Sequence, residues 1–406
     1  MPENASHVPQ VLDSFAASDI IWLQHFALRH PLCPAAVVER LAVGFDYQSR
    51  LLALRHPNCP EGIIRRYAGS SDCTVRETVA INTSAPQDVL ADLGRDRHEK
   101  VRAVVARNAS TPYQVLQEMV GDPDFWVLRQ LAANKNLPKG VYYELEETGE
   151  RILLEEMVAN AGCPGDILFR ATAGNNDALA TAMTCNPSLT VFMLARLAAK
   201  ANGDSKIMWR IAGHHNCPPG LAAKLAVHPE PNVRAAYARN KNCPPAALEE
   251  LAADKSAAVR ESVAAHSETP REVLARLGRD EEVRVRVQVA WNQATPALAL
   301  AERAADPDYR VRSRLAKNPA CPRAAISTLL LDNYRITRLR ALVHPNCGHE
   351  SLNRGVEAAC SSPYRSDMQV LHDLAHHPGF PAYLKPVLFV LGNYNPFKSA
   401  AQAIRR

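Results

Sequence analysis

The sequence predicts an all-α fold, a right-handed α-solenoid of about thirteen 26-residue, two-helix repeats. Three observations carry this. Cys33-Pro34, Cys59-Pro60, Ala85-Pro86, Thr111-Pro112, Leu137-Pro138 and Cys163-Pro164 return every 26 residues, and Pro218, Pro244, Pro270, Pro296 and Pro322 keep the interval. Four residues before each anchor stands an Asn or a His: His30, His56, Asn82, Asn108, Asn134, Asn160, Asn186, His214, Asn240, His266, Asn292, Asn318, His344 and His377. The whole chain of 406 residues has only 14 His, so composition cannot produce that column. Between the anchors apolar residues recur at helical spacing, and self-similarity of this period marks stacked supersecondary units.

Each unit opens on its proline. In Pro270-Arg-Glu-Val-Leu-Ala-Arg-Leu-Gly278 the apolar spacing predicts a short first helix, with Thr269 as N-cap, Pro270 at N1 and Glu272 completing a capping box. A second helix is expected after Asp306-Pro307-Asp308 and Asp122-Pro123-Asp124, with the leading Asp as cap and the proline at N1. It runs on through Val311 and Leu315, one turn apart, to the Asn/His position. Neither hairpin can bury its apolar stripe alone, so the hairpins stack. Along the chain this gives a cap over 1–20, regular repeats over 21–164, an irregular centre over 165–217, regular repeats over 218–348 and a second cap over 349–406. The centre is irregular because Thr190 takes the proline's place and two extra residues enter near Asn202 to Ile207. Gly348 replaces the proline in its turn, and Pro381 follows after a longer interval.

With 47% apolar, 6% aromatic and 22% charged residues, the chain can bury a core and is not of disordered composition. No apolar run has the ~18 residues of a membrane helix, and MPENASHVPQ lacks the pattern of a signal peptide, which predicts a soluble, cytoplasmic protein. A formal charge of +5 permits nucleic acid as a partner without requiring it. No nucleophile elbow, phosphate loop or dinucleotide fingerprint is present, so no enzyme activity is expected.

The cassette Asp-x-x-x-x-Val-Arg-x-x-Val-Ala-x-Asn/His-x-x-Cys/Thr-Pro-x-x-x-Leu-x-x-Leu, as from Val259-Arg260 to Leu277, resembles the bacterial leucine-rich-repeat variant family and, more loosely, HEAT-like repeats. The resemblance covers about residues 20 to 390. It implies a binding surface with no fixed partner, and a first helix of either α or 3₁₀ type. An iron–sulfur cluster precedes the repeats in one such protein. Residues 1–20 here contain no cysteine, so no cofactor is expected.

Four columns are candidates for function. The Asn/His ladder ends the second helix, where the last carbonyls lack partners, and it takes only side chains that both donate and accept; it is expected to bond neighbouring backbone. Seven cysteines, Cys33, Cys59, Cys163, Cys217, Cys243, Cys321 and Cys347, share a place with Thr and Ala, which suggests reduced, half-buried thiols. A thiol at a helix N-terminus tends to a lower pKa, which leaves a redox-reactive ladder as the alternative. Arg50, Arg76, Arg102, Arg234, Arg260, Arg286, Arg312 and Arg338 recur once per repeat, with Leu128, Leu154, Ala180 and Lys206 in the middle. They pair either with Asp96, Asp254, Asp280 and Asp306 or with an acidic or phosphate-bearing partner. His372 and His376 have the spacing of a two-histidine metal face, with His377, Cys347, His349 and Cys360 nearby, but no HExxH follows and no metal is expected.

The partner site is expected between Arg276 and Arg340. Arg284, Arg310, Arg314, Lys317 and Arg340 occupy helix positions that should face outward, with Trp291 among them as a hot-spot anchor or base-stacking platform. Trp22 and Trp126 share a second outward column. The sequence therefore points to a non-enzymatic scaffold or adaptor that binds a protein on the second-helix face. The alternative is nucleic-acid binding through the basic 276–340 half, for which HEAT-like DNA-binding solenoids are the precedent.

Overall fold

The computed structural model describes residues 8–348 apart from 175, 202 and 343. The described residues are helices and turns with no strand, an α-solenoid of stacked two-helix repeats. They fall into two compact units, Met1–Asn202 and Gly203–Arg406.

Both units use one building plan. A first helix such as Gln87–Leu93 or Arg271–Leu277 turns into a second such as Glu99–Arg107 or Val283–Trp291. Residues four apart fall on one helical face. Val89 and Leu93 of a first helix, and Val101 and Val105 of the second, are accordingly buried, as are Val273 and Leu277, and Val285 and Val289. Within each unit, each second helix packs against the second helix of the next repeat, so the hydrophobic core of the unit runs along its stack as a seam. First helices are α-helical in nearly every repeat, with a 3₁₀ turn added over Met119–Gly121 and another over Pro219–Leu221.

The helix starts differ from expectation by one or two residues. The repeating proline is the N-cap, not N1: Pro270 has φ −55° and ψ 143°, and the helix begins at Arg271. A ring-fixed φ suits that extended cap position, and the proline carbonyl accepts the first helical bonds, as Pro60 does from Ile63 and Ile64. Thr269 and Glu272 therefore form no capping box. The Thr269 hydroxyl instead donates back to Val263 O at 2.6 Å, filling one of the last carbonyls of the preceding helix, and Thr111 and Thr295 do the same to Val105 and Val289. At the second helix the later Asp is the cap: Asp124 accepts from the Trp126 amide and Asp308 from the Arg310 amide, both at 2.8 Å. Pro123 and Pro307 lie just before the helices, and the leading aspartates are left free for another use.

In the first unit the stack ends on Val191–Lys200, ten residues long. The second unit opens with Gly203 at φ +84°, a conformation that favours glycine, and Asp204 caps Ser205–Gly213. The two extra residues thus precede Ser205. Met208, not Lys206, stands six before His214 in the arginine column, and it is fully buried.

Candidate functional site

The Asn/His residue closes each second helix and ties it to the repeat before. Asn82 Nδ2 donates to Leu54 O (2.7 Å) and His56 O (3.1 Å), while its Oδ1 accepts from Ser84 N at 2.8 Å. Asn108, Asn134, Asn160 and Asn186 repeat the three bonds in the first unit, and Asn240, Asn292 and Asn318 do so in the second. A histidine has one fewer donor to give. In His56, His266 and His344, Nδ1 accepts from the amide two residues on, so Nε2 carries the proton and donates to the preceding rung's carbonyl. His214 Nδ1 accepts likewise from Asn216, and His30, in the first repeat, accepts from Leu32. A second, sparser ladder two residues later has no counterpart in the sequence reading. Asn58 donates to Cys33 O at 2.9 Å, Asn136 to Ala109 O at 2.9 Å, Asn242 to His215 O at 2.6 Å and Asn346 to Cys321 O at 2.8 Å. Its trace in the sequence is a surplus of Asn and Ser at that place.

The column arginines are spent within the stack. Arg76, Arg102, Arg234, Arg260, Arg286 and Arg312 each grip, with two nitrogens, the leading aspartate of the next repeat, 20 residues on: Asp96, Asp122, Asp254, Asp280, Asp306 and Asp332. The third nitrogen donates to the carbonyl six residues back, which in much of the chain belongs to the previous pair's aspartate, as in Arg286 to Asp280 O at 2.8 Å. Arg50 has no such aspartate ahead of it and bonds Ala42 O and Gly44 O. The Arg76 guanidinium holds the Asp96 carboxyl below its ordinary value. Burial raises Asp280, but the Arg260 hydrogen bond and a backbone amide bring it below the usual range.

Burial works against the redox-reactive alternative for the cysteine column. It pushes the thiols of Cys59, Cys217 and Cys243 up to about 11 and those of Cys163 and Cys321 to about 12, outweighing any pull from the helix start. Among the described residues no group of three or more His, Cys, Asp or Glu side chains could hold a metal ion. His349, Cys360, His372, His376 and His377 lie outside the described residues. No helix of the described residues is long and apolar enough to cross a membrane.

The basic half is less uniform than a helical wheel suggests. Arg284, Arg310 and Lys317 are exposed, and Trp291 is 43% exposed. Arg314 and Arg340 are half-buried, because the position four before the ladder lies in the seam between second helices, where Thr78 and Ser262 are buried outright. Arg314 lays its guanidinium 4.6 Å from the centre of the Trp291 ring, covering one face of it. Arg340 donates to Ser313 O and to the Ser313 hydroxyl. Arg310 is gripped by its own helix cap, Asp308, at 3.0 and 2.8 Å. Arg284 and Lys317 make no ion pair among the described residues. Trp22 is 65% and Trp126 51% exposed, the latter with Arg129 over its ring.

The leucine rich repeat variant family model matches residues 257–282, one period of the repeat, which holds the Arg260–Asp280 pair and the His266 rung. That repeat is a leucine rich repeat variant. The arginine, Asn/His and proline positions of that repeat recur at the same spacing on either side of it. Among solved structures, a leucine-rich repeat variant with a novel repetitive structural motif is 17% identical with a TM-score of 0.28, over 71% of this chain and 95% of that one. Kap121p bound to RanGTP is 12% identical with a TM-score of 0.34, over 99% of this chain and 54% of that one. The karyopherin Kap121p bound to the extreme C-terminus of the protein phosphatase Cdc14p is 9% identical with a TM-score of 0.33, over 96% and 53%. The chain thus spans about half the length of these two Kap121p chains. No curated protein sequence matches it.

Proposed function

We propose that this variant-repeat solenoid is a non-enzymatic scaffold that binds a protein partner on the outward face of its second helices, at Trp291 and the basic residues Arg284, Arg310, Arg314, Lys317 and Arg340. One observation carries the reading. The column arginines are consumed by buried pairs, whereas Arg314 covers one face of a half-exposed Trp291 and Arg284, Arg310 and Lys317 stand exposed on the same and the next repeat, an aromatic and basic composition that suits an interface. Nucleic acid is the weaker reading, because Arg314 already occupies one face of the Trp291 ring and Asp308 neutralises Arg310.

The test is affinity capture with the intact chain, comparing wild type with a variant in which Arg310, Arg314 and Lys317 are all replaced by Glu. The triple variant should lose the partner, and Lys317→Glu alone, the exposed charge with no ion pair among the described residues, should weaken capture while leaving the melting temperature nearly unchanged, since exposed charges contribute below about 1 kcal/mol per pair. Capture at wild-type level moves the site elsewhere, with the Trp22 and Trp126 column next in line.

A further inference from the structure

The basic face has a geometry that selects the shape of what binds it. Its C-terminal half crosses three consecutive second helices: Trp291 ends Val283–Trp291, Arg314 and Lys317 stand on and just after Tyr309–Leu315, and Arg340 is on Arg335–Leu342. Among the described residues of that half there is no carboxylate; Glu282 and Asp308 sit at the opposite, N-terminal edge, beside Arg284 and Arg310. Arg340 reaches back to the Arg314 helix, donating to Ser313 O at 3.2 Å and to the Ser313 hydroxyl, and burial, then the charge of Arg314, push it below its ordinary value. Equivalent positions on packed neighbouring helices lie ~8–10 Å apart. An extended strand turns its side chains to alternate faces and repeats one face every ~6.6 Å, out of step with that spacing. A polyproline-type segment returns to the same face every third residue, after ~9.3 Å, in step with it.

Resting on the protein-binding reading above, we propose that the partner contributes an acidic segment in polyproline-type conformation. It lies across the second helices, with carboxylates three residues apart meeting Arg314 and Lys317 on one helix and Arg340 on the next, and an apolar side chain on the open face of Trp291. Such a chain has no internal backbone hydrogen bonds, so its amides and carbonyls stay free for water or, for an amide, for the side-chain oxygen of half-buried Gln288, whose Nε2 already donates to Glu261 at 3.2 Å.

The probe is the fluorescein-labelled peptide (Glu-Pro-Leu)4, compared by anisotropy with a peptide of equal composition whose four glutamates are contiguous, and with a labelled twelve-residue oligo-dT. The periodic peptide should bind about tenfold more tightly than the contiguous one. Arg314→Ala and Lys317→Ala should each weaken it about two- to fivefold, Trp291→Ala about tenfold or more, and Lys100→Ala, exposed on the second helix Glu99–Arg107 of the first unit, hardly at all. Equal binding of the two peptides, tighter binding of oligo-dT, or indifference to Arg314→Ala and Lys317→Ala overturns the inference. If the peptide fails while the charge-reversed triple variant still loses the captured partner, only the segment's shape is wrong. If the triple variant keeps its partner, the site itself is wrong.

Discussion

A ladder asparagine makes three bonds with one amide, two of them across the repeat boundary and both buried. Truncating it removes the side-chain donor from the Ala80 carbonyl, one of the two donors to the Asn82 carbonyl, which keeps the Ala85 amide, and the acceptor of the partly buried Ser110 amide. Asn108→Ala should therefore destabilise by roughly 1–3 kcal/mol in a denaturant melt, and Asn108→His by less, since an imidazole restores the acceptor and one of the two donations. Equal losses for the two variants would mean that the side chain matters for its volume. The sequence displays this column plainly, because only two residue types satisfy it. It does not display the partners, which lie 26 and 28 residues away and depend on how the repeats stack. The same limit applies to Arg314 and Arg340: helical spacing puts them on the outer face, but whether that place is open or sunk in a seam is decided by the neighbouring helix.

At the scale of the element, each arginine pair clamps a second helix to the turn that opens the next one. Asp96 sits below its ordinary carboxylate value because Arg76 bonds it, so this pair stabilises at pH above the unfolded carboxyl's value of about 3.9, and the contribution is lost as pH falls through the lowered folded value. Asp96→Asn leaves Arg76 buried and half-satisfied. It should cost about 3 kcal/mol at pH 7, and the difference from wild type should shrink below about pH 4. A difference constant from pH 7 to 3 would remove the ion pair from the account. The two-helix unit and its approximate bounds are legible from periodicity, whereas the caps are not. Thr269 and Pro270 fit two adjacent registers equally well by composition, and only the backbone path shows that the hydroxyl points back to Val263.

For the whole molecule, stability is a sum of nearest-neighbour terms. The clamp is missing where Leu128, Leu154 and Ala180 stand in the arginine column of the first unit and Met208 in that of the second, so the repeats over 128–200 carry fewer polar ties than those over 73–122, and the one over 205–213 fewer than those over 234–332. Amide exchange should be faster over 128–200 than in the rest of the first unit and faster over 205–213 than in the rest of the second, with circular dichroism almost wholly helical. Uniform protection along the chain would show that apolar stacking alone sets local stability. The ladder also has a direction. The ladder bonds of the asparagines and of His56, His266 and His344 all donate towards the N-terminus, so the carbonyls that receive them are synthesised 26 to 28 residues before the side chain that reaches them. On a ribosome the newest hairpin always meets an already finished surface, and no polar tie of the ladder waits for chain that has not yet emerged. Growth of the fold can keep step with growth of the polymer, one docking event per period, through contacts of short sequence separation that favour fast assembly.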